Sequence, residues 1–103
     1  MSEPRAYREL VEQLIADPAV SEGQMMGMPA LKRGSKMFGG LFEGALIVKI
    51  GRERVAELVD SGRARPFDPS GRGRPMKDWA QLPEPAHDWL ALATEAKDSL
   101  VRG

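Results

Sequence analysis

The sequence predicts a two-layer α+β fold in which helices cover an antiparallel sheet, with the elements in the order α-β-β-β-α-β-β-α. Apolar residues recur at helical spacing near both ends of the chain. Between them, the stretch KMFGGLFEGALIVKI has the composition of two strands joined by a tight turn. Consecutive strands with short connections pair antiparallel, and helices must cover their apolar face. Because 103 residues suffice for one modest core, we expect a single domain over residues 1–103.

The first helix is predicted from Arg5 to Asp17. It ends there because the residue before a proline is disfavoured in the α region. Its apolar stripe consists of Tyr7, Leu10, Val11, Leu14 and Ile15. The next segment, residues 24–34, is predicted to be one irregular strand at a sheet edge, where its proline is tolerated. Gly34 then turns the chain.

The strongest strand signals lie on either side of a predicted hairpin turn at Glu43-Gly44. Residues 36–42 and 45–50 are the two strands, and the glycine of the turn supplies the positive φ that a two-residue connection requires. A second helix follows over residues 51–61, with Gly62 just after its end. Its predicted buried residues are Val55, Leu58 and Val59.

Two short strands and a third helix complete the predicted order. The strands cover residues 63–67 and 75–81, with Phe67 and Trp79 as apolar anchors on each side of a turn-rich loop. A proline at the first helical position, Pro83 or Pro85, opens the last helix. Its apolar stripe consists of Ala86, Trp89, Leu90, Ala93, Ala96 and Leu100.

The composition argues against several kinds of site. The chain has no cysteine and a single histidine, His87, so we expect no thiolate chemistry and no metal site. We interpret His87 as an exposed surface residue, and we expect neither a cofactor nor catalytic residues. The N-terminus has no apolar signal region, and no run of about 20 apolar residues could span a membrane. We therefore expect a cytoplasmic protein that is not an enzyme and does not bind membranes.

The glycines of residues 34–40 do not make a nucleotide site. A Walker loop needs Lys and then Ser or Thr after its last glycine, whereas Gly40 and Leu41 follow Gly39. A Rossmann fingerprint needs a strand before the glycines and a helix after them, but here a strand follows. We therefore expect Gly39 and Gly40 to lie within a strand, at a bulge or where packing is close.

Charge is distributed unevenly, although the net charge of the chain is zero. The net charge is −3 over residues 1–31, +6 over 32–77 and −3 over 78–103. Either acidic helices cover a basic sheet, or the basic part is an anion-binding face. The candidate contacts with an anion or a nucleic acid are Arg63, Arg65, Arg72, Arg74 and Lys77. Single-stranded nucleic acid would also need exposed aromatic rings, and the aromatic residues nearby are predicted to belong to the core.

Methionines crowd the first strands, and residues 37–42 are apolar at nearly every position. One face of that strand belongs under the helices, so a subunit, a partner protein or the first strand must cover the other. We therefore expect a homodimer or a protein-interaction surface. The candidate interface residues are Met25, Met26, Met37 and Leu41.

Three short segments resemble one bacterial family. They are Met37-Phe38-Gly39-Gly40, Pro66-Phe67, and Met76-Lys77-Asp78-Trp79 with Pro83. Over about residues 24–101 the chain is similar to the TfoX/Sxy N-terminal-domain family, above all to its small single-domain members. The matching residues determine the fold rather than a reaction, and the structural motif consists of Phe38, Gly39, Gly40, Gly44, Phe67 and Trp79.

The resemblance implies a two-layer α+β domain akin to the secretion-chaperone-like folds. It also implies a part in the regulation of natural competence, with transcriptional machinery as the partner. Full-length members carry a second, C-terminal domain, for which we expect no room in this chain. The family has no established catalytic residues, so none is carried over. We therefore expect a non-enzymatic regulatory or protein-interaction domain, with nucleic-acid or anion binding through residues 63–77 as the alternative.

Overall fold

The computed structural model describes residues 4–25, 27–68, 71, 73, 75–83 and 87–102. Within them, helices and strands follow in the order α-β-β-β-β-α-β-β-α. The helices are α1 (Arg5–Leu14), α2 (Arg52–Asp60) and α3 (Trp89–Arg102). The strands are β1 (Val20–Met25), β2 (Met28–Arg33), β3 (Lys36–Phe42), β4 (Ala45–Lys49), β5 (Arg65–Phe67) and β6 (Met76–Leu82). The predicted α+β class is confirmed, with one strand more than the sequence indicated.

All six strands join one antiparallel sheet in the order β1-β2-β3-β4-β6-β5. The predicted turns at Gly34 and Glu43-Gly44 are confirmed. Gly34 has φ 63°, and the hairpin turn has φ 50° and 79°, as a two-residue connection of this type requires. Because β6 lies between β4 and β5, the edges of the sheet are β1 and the short β5.

The prediction of a single strand over residues 24–34 is wrong. This segment contains the end of β1, a turn at Gly27 with φ 78°, and then β2. Val20 pairs with Arg33 at the open end of the hairpin. Of residues 20–23, VSEG, only the valine is strongly apolar, so the start of β1 has no alternating pattern. Pairing with β2, and not an intrinsic preference, makes these residues a strand.

The first helix ends earlier than predicted, at Leu14 instead of Asp17. Asp17 instead shapes the turn into β1, because its Oδ1 accepts the Ala19 N–H at 2.9 Å. Its backbone carbonyl accepts the Val20 N–H, also at 2.9 Å. A short acidic side chain that bonds the backbone two residues ahead favours such a turn over continued helix.

The last helix begins later than predicted, at Trp89 instead of Pro83 or Pro85. Pro83 directly follows β6 and is not helical, while Pro85 lies outside the described residues. Pro83 does not open the helix because β6 stays paired with β4 up to Leu82, directly before it. The Trp89 indole N–H then donates to the Leu82 carbonyl at 3.0 Å and holds the first turn of α3 against the end of the strand.

The main core lies between the three described helices and one face of the sheet. Alternation along the strands directs Leu31, Leu46 and Val48 to this face, where each is fully buried. The helices contribute Tyr7, Leu10, Val11, Leu14, Val55, Leu58, Trp89, Leu92, Ala93 and Ala96. Burial of one large apolar side chain contributes about 1.5–3 kcal/mol, so these stripes hold the helices on the sheet.

A β-bulge in β3 decides which of its side chains face the helices. Along β2 and β3, Leu31 pairs with Gly39 but Lys32 pairs with Met37, which leaves Phe38 as an extra residue. Phe38 is fully buried in the helix-side core. The bulge therefore reverses the alternation of β3 at this point, so residues before and after it do not follow one regular pattern.

Partly exposed ion pairs join α3 to the rest of the domain. Arg54 Nε lies 2.9 Å from Glu95 Oε2, and Lys97 Nζ lies 3.4 Å from Asp17 Oδ2. The hydrogen bond that Arg54 donates to Glu95, with a second that it donates to Glu57, raises the pKa of the Arg54 guanidinium. Partly exposed ion pairs each contribute little to the free energy of unfolding. They therefore orient α3 on the domain, while its apolar contacts hold it there.

We expect Gly40→Ala to lower the free energy of unfolding by about 1–3 kcal/mol. A Cβ at this position would lie 2.7 Å from the Pro29 carbonyl oxygen, a backbone atom of the neighbouring strand. The matched control is Gly23→Ala, because its Cβ would meet only the flexible end of Lys32 at 3.1 Å. Urea unfolding measures both variants. Equal stability of the two would contradict such close packing of β2 against β3.

We expect the stabilising effect of the Asp17 carboxylate to disappear in acid. The Ala19 backbone N–H, more than any other group, lowers the pKa of Asp17 below its ordinary value of 3.8, and Lys97 lowers it further. A carboxyl group with a lowered folded pKa stabilises the fold above the ordinary value and loses this effect as the pH falls through the folded pKa. Asp17→Asn keeps an oxygen acceptor and removes the charge.

The measurement is the difference in the free energy of unfolding between wild type and Asp17→Asn as a function of pH. It should be largest near neutral pH and shrink below the ordinary pKa of 3.8. A difference that stayed constant through this acidic range would show that the charge does not contribute.

Candidate interaction surface

The face of the sheet opposite the helices, which we call the open face, carries its own set of side chains. Directly paired residues of neighbouring strands point to the same face. By this register the open face includes Ser21, Gly23, Met28, Ala30, Lys32, Met37, Gly40, Phe42, Ala45, Ile47, Lys49, Arg65, Phe67, Met76, Trp79 and Gln81. No residue of the described helices belongs to its apolar cluster.

Aromatic residues of the open face cover the central strand. Ile47, in the middle of β4, is fully buried although its side chain points away from the helices. The ring centroids of Phe42 and Phe67 lie 5.3 Å apart edge to face, although β4 and β6 separate their strands. Trp79 stacks next to Phe67 with a centroid distance of 6.1 Å. The sheet therefore curls around a second, small core.

Three apolar side chains that pack against this second core are only half-buried. Met28, Met37 and Phe42 pack against it and are partly accessible. Phe67 is fully buried and Trp79 is 6% exposed, so neither offers a free ring face. The accessible apolar part of the open face is thus formed mainly by flexible methionine side chains, which adapt to differently shaped partners.

The structure separates the four candidate interface residues. Met37 lies on the open face, but Leu41 is buried in the helix-side core, opposite Leu46. The bulge at Phe38 causes this, because it reverses the alternation between the two positions. Met25 ends β1, where only its backbone is described, and Met26 lies outside the described residues.

The charged residues of the open face are all cations. Lys49 and Arg65 are exposed and Lys32 is half-buried, and none of them forms an ion pair within the described part of the chain. No carboxylate occupies any of the open-face positions named above. Glu22, the acidic residue of β1, is on the other face and binds Arg8 at 3.1 Å. The open face therefore combines an apolar centre with unpaired positive charge.

The basic segment of residues 63–77 does not form one cluster. Arg63 Nε binds Asp88 Oδ2 at 3.0 Å, next to the start of α3, so an intramolecular partner neutralises it. Arg65 lies on the open face, and Lys77 is exposed in β6. Arg72 and Arg74 lie outside the described residues. Among the described residues after β5, the Asp68 carboxylate accepts the backbone N–H groups of Gly71 at 3.0 Å and Gly73 at 2.8 Å.

The described residues present no arrangement of catalytic groups. His87 is exposed in the turn before α3. The open clefts include one of about 500 Å³ between α1 and α3 and one of about 610 Å³ at the end of the sheet, and His87 lines neither. The second is bordered by Lys36 and Ser99 and also by Met37, Lys49, Asp78 and Trp79. Among the described residues, no three His, Cys, Asp or Glu side chains could hold a metal ion. No described helix has the length and apolarity needed to cross a membrane.

Two cations of the open face, Lys32 and Lys49, are absent from the set predicted from the sequence. For Lys49 a signal existed, because alternation through ALIVK places it on the same face as Ile47. For Lys32 the sequence held no such signal. Its face follows from the pairing of β2 with β3 next to the bulge.

Comparison with known proteins gives one match. The family model of the TfoX N-terminal domain matches residues 9–100, which include all six strands and most of the helix-side core. No curated protein and no solved structure shows a significant match to the chain.

Proposed function

Because the chain belongs to the TfoX N-terminal domain family, we propose that it is a non-enzymatic regulatory domain that binds another protein through the open face. One observation carries the proposal. Met28, Met37 and Phe42 form a half-buried apolar surface on a sheet face to which no described helix contributes. Apolar surface that remains accessible beside a packed core marks a place where a partner docks.

The shape of the open face favours a protein partner over a small molecule. A small-molecule site is concave and encloses most of its ligand. Here the space above Ile47 is already filled by Phe42, Phe67 and Trp79. The cleft of about 610 Å³ that Met37, Lys49 and Trp79 border at the end of the sheet is open to solvent and would not enclose a ligand. The partner class that the family resemblance implies, a component of the transcriptional machinery, is part of this proposal.

The alternative, nucleic-acid or anion binding through residues 63–77, has less support. The ion pair of Arg63 with Asp88 removes one of its candidate contacts. The buried rings of Phe67 and Trp79 offer no platform on which bases could stack. The alternative stays a prediction for Arg65, Arg72, Arg74 and Lys77.

We expect Met37→Asp to abolish capture of the partner from the native cytoplasm, because it places a charge at the centre of the apolar surface. The matched control is Leu90→Asp. Leu90 is 45% exposed on α3, so the same charge enters an accessible apolar position away from the open face. Both variants must first show the wild-type circular dichroism spectrum. Captured proteins that are lost with Met37→Asp but retained with Leu90→Asp support the proposal. If both variants capture the same proteins as wild type, the proposal is contradicted.

We propose that the homodimer expected from the sequence forms through β1, one of the two sheet edges. The other edge, β5, is short and contains Pro66, whereas β1 has six residues and no proline. The Ala19 carbonyl accepts the Gly34 N–H, so residues 19, 21 and 23 bond towards β2. Glu22 and Gln24 then direct their N–H groups away from it, towards a second copy of β1.

We expect wild-type protein to show the mass of a dimer in light scattering and Gln24→Pro to show that of a monomer. Proline removes the outward N–H of this position without removing a bond to β2. Gln24→Ala is the control, since it changes the side chain and keeps the N–H. A wild-type chain that is monomeric at high micromolar concentration would contradict the dimer, and the proposal for the open face would be unaffected.

A further inference from the structure

We propose that the open face binds an acidic polypeptide segment that also carries large apolar side chains. The inference rests on the proposed function and names the chemistry of the partner. It starts from the distribution of charge, since Lys32, Lys49 and Arg65 are the charged residues at the open-face positions and none of them forms an ion pair with a described carboxylate. A surface of one sign attracts a partner of the opposite sign and disfavours others.

The cations lie next to the apolar centre and not apart from it. Lys32 is the direct cross-strand neighbour of Met37, and Lys49 that of Trp79. Arg65 pairs with Gln81, which in turn pairs with Ile47. Side chains of directly paired residues are within contact range of each other. A bound segment that places an apolar side chain over Met37 therefore brings its neighbouring residues within reach of a cation.

The helix-side charges contrast with those of the open face. Arg8, Arg54, Arg63 and Lys97 all have carboxylate partners, at distances between 2.9 and 3.4 Å. Intramolecular pairing thus satisfies these four cations and leaves those of the open face available. Arg52 on α2 is also exposed and has no ion pair among the described residues, so the open face is distinguished by its three unpaired cations beside an apolar cluster.

Two other occupants fit the open face less well. A second copy in face-to-face contact would bring the lysines and Arg65 of both molecules together without any carboxylate between them, and like charges in contact disfavour association. Single-stranded nucleic acid binds by stacking its bases on exposed rings, but Phe67 and Trp79 are buried. The accessible methionines instead suit leucine or phenylalanine side chains.

The test measures fluorescence anisotropy of a labelled peptide in which glutamates alternate with leucine and phenylalanine. A second peptide has glutamine in place of every glutamate, and labelled oligothymidylate is the nucleic-acid probe. We expect the acidic peptide to bind at least about tenfold more tightly than the glutamine peptide, with an affinity that falls as salt is added. Met37→Asp should abolish its binding.

Matched charge reversals locate the contact. We expect Lys49→Glu and Arg65→Glu each to weaken binding of the acidic peptide at least about fivefold. Arg5→Glu is the control, because Arg5 is 92% exposed on α1, which packs on the other side of the sheet, and the substitution changes the net charge equally. The control should change the affinity by less than about twofold, because salt largely screens an exposed charge that does not contact the peptide.

The remaining outcomes overturn the inference in distinguishable ways. If the glutamine peptide binds as tightly as the acidic peptide, and Met37→Asp abolishes binding of both, the preference for acidic residues is wrong and the proposed function stands. Peptide binding that Met37→Asp does not change would overturn both. Tighter binding of oligothymidylate than of the acidic peptide would assign the cations to nucleic acid. If no probe binds, the inference fails, and capture with the Met37→Asp variant decides the proposed function separately.

Discussion

The rest of the structure depends on the burial of β4 on both faces. Leu46 and Val48 point into the helix-side core, while Ile47 between them points the other way, and all three are fully buried. A central strand of this kind needs a cover on each side, because apolar surface left in water is unfavourable. In this chain the cover differs between the two sides. Three amphipathic helices provide one, and side chains of the sheet itself provide the other.

The difference between the two covers creates the candidate interaction surface. Helices bury the apolar residues at the centre of their side of the sheet, and charged residues of the helices and adjoining turns pair around this core. On the open face, Phe42 and Phe67 meet above Ile47 and leave the outer parts of Met28 and Met37 accessible. The neighbouring strand residues have no helix to supply carboxylates, so their cations stay unpaired. The described helices cover only one face of the sheet. The other face therefore keeps an accessible apolar centre with unpaired positive charge next to it.

Local sequence patterns predicted most of the elements because each has a strong local cause. The hairpin at Glu43-Gly44 needs positive φ at both turn residues, and apolar strands lie on each side of it. The elements that the sequence missed lack such a cause. The start of β1 has no alternating pattern, and Pro83 does not open α3 because β6 stays paired with β4 through Leu82. The candidate surface was predicted in part: Met37 lies on it, whereas Leu41 does not, because the bulge at Phe38 reverses the alternation.

The sequence by itself determined most of the elements, the hairpin turns and the family, since these depend on periodicity, on glycine conformation and on motifs that stand next to each other along the chain. Only the tertiary structure decided which side chains share a face. That decision lies in the register between strands, where one extra residue at Phe38 places Leu41 with the helices and where pairing brings Lys32 next to Met37. Register is a relation between segments distant in sequence, so no local pattern contains it. For the same reason, the set of residues that forms the open face around Ile47 could be assigned only from the pairing of the strands.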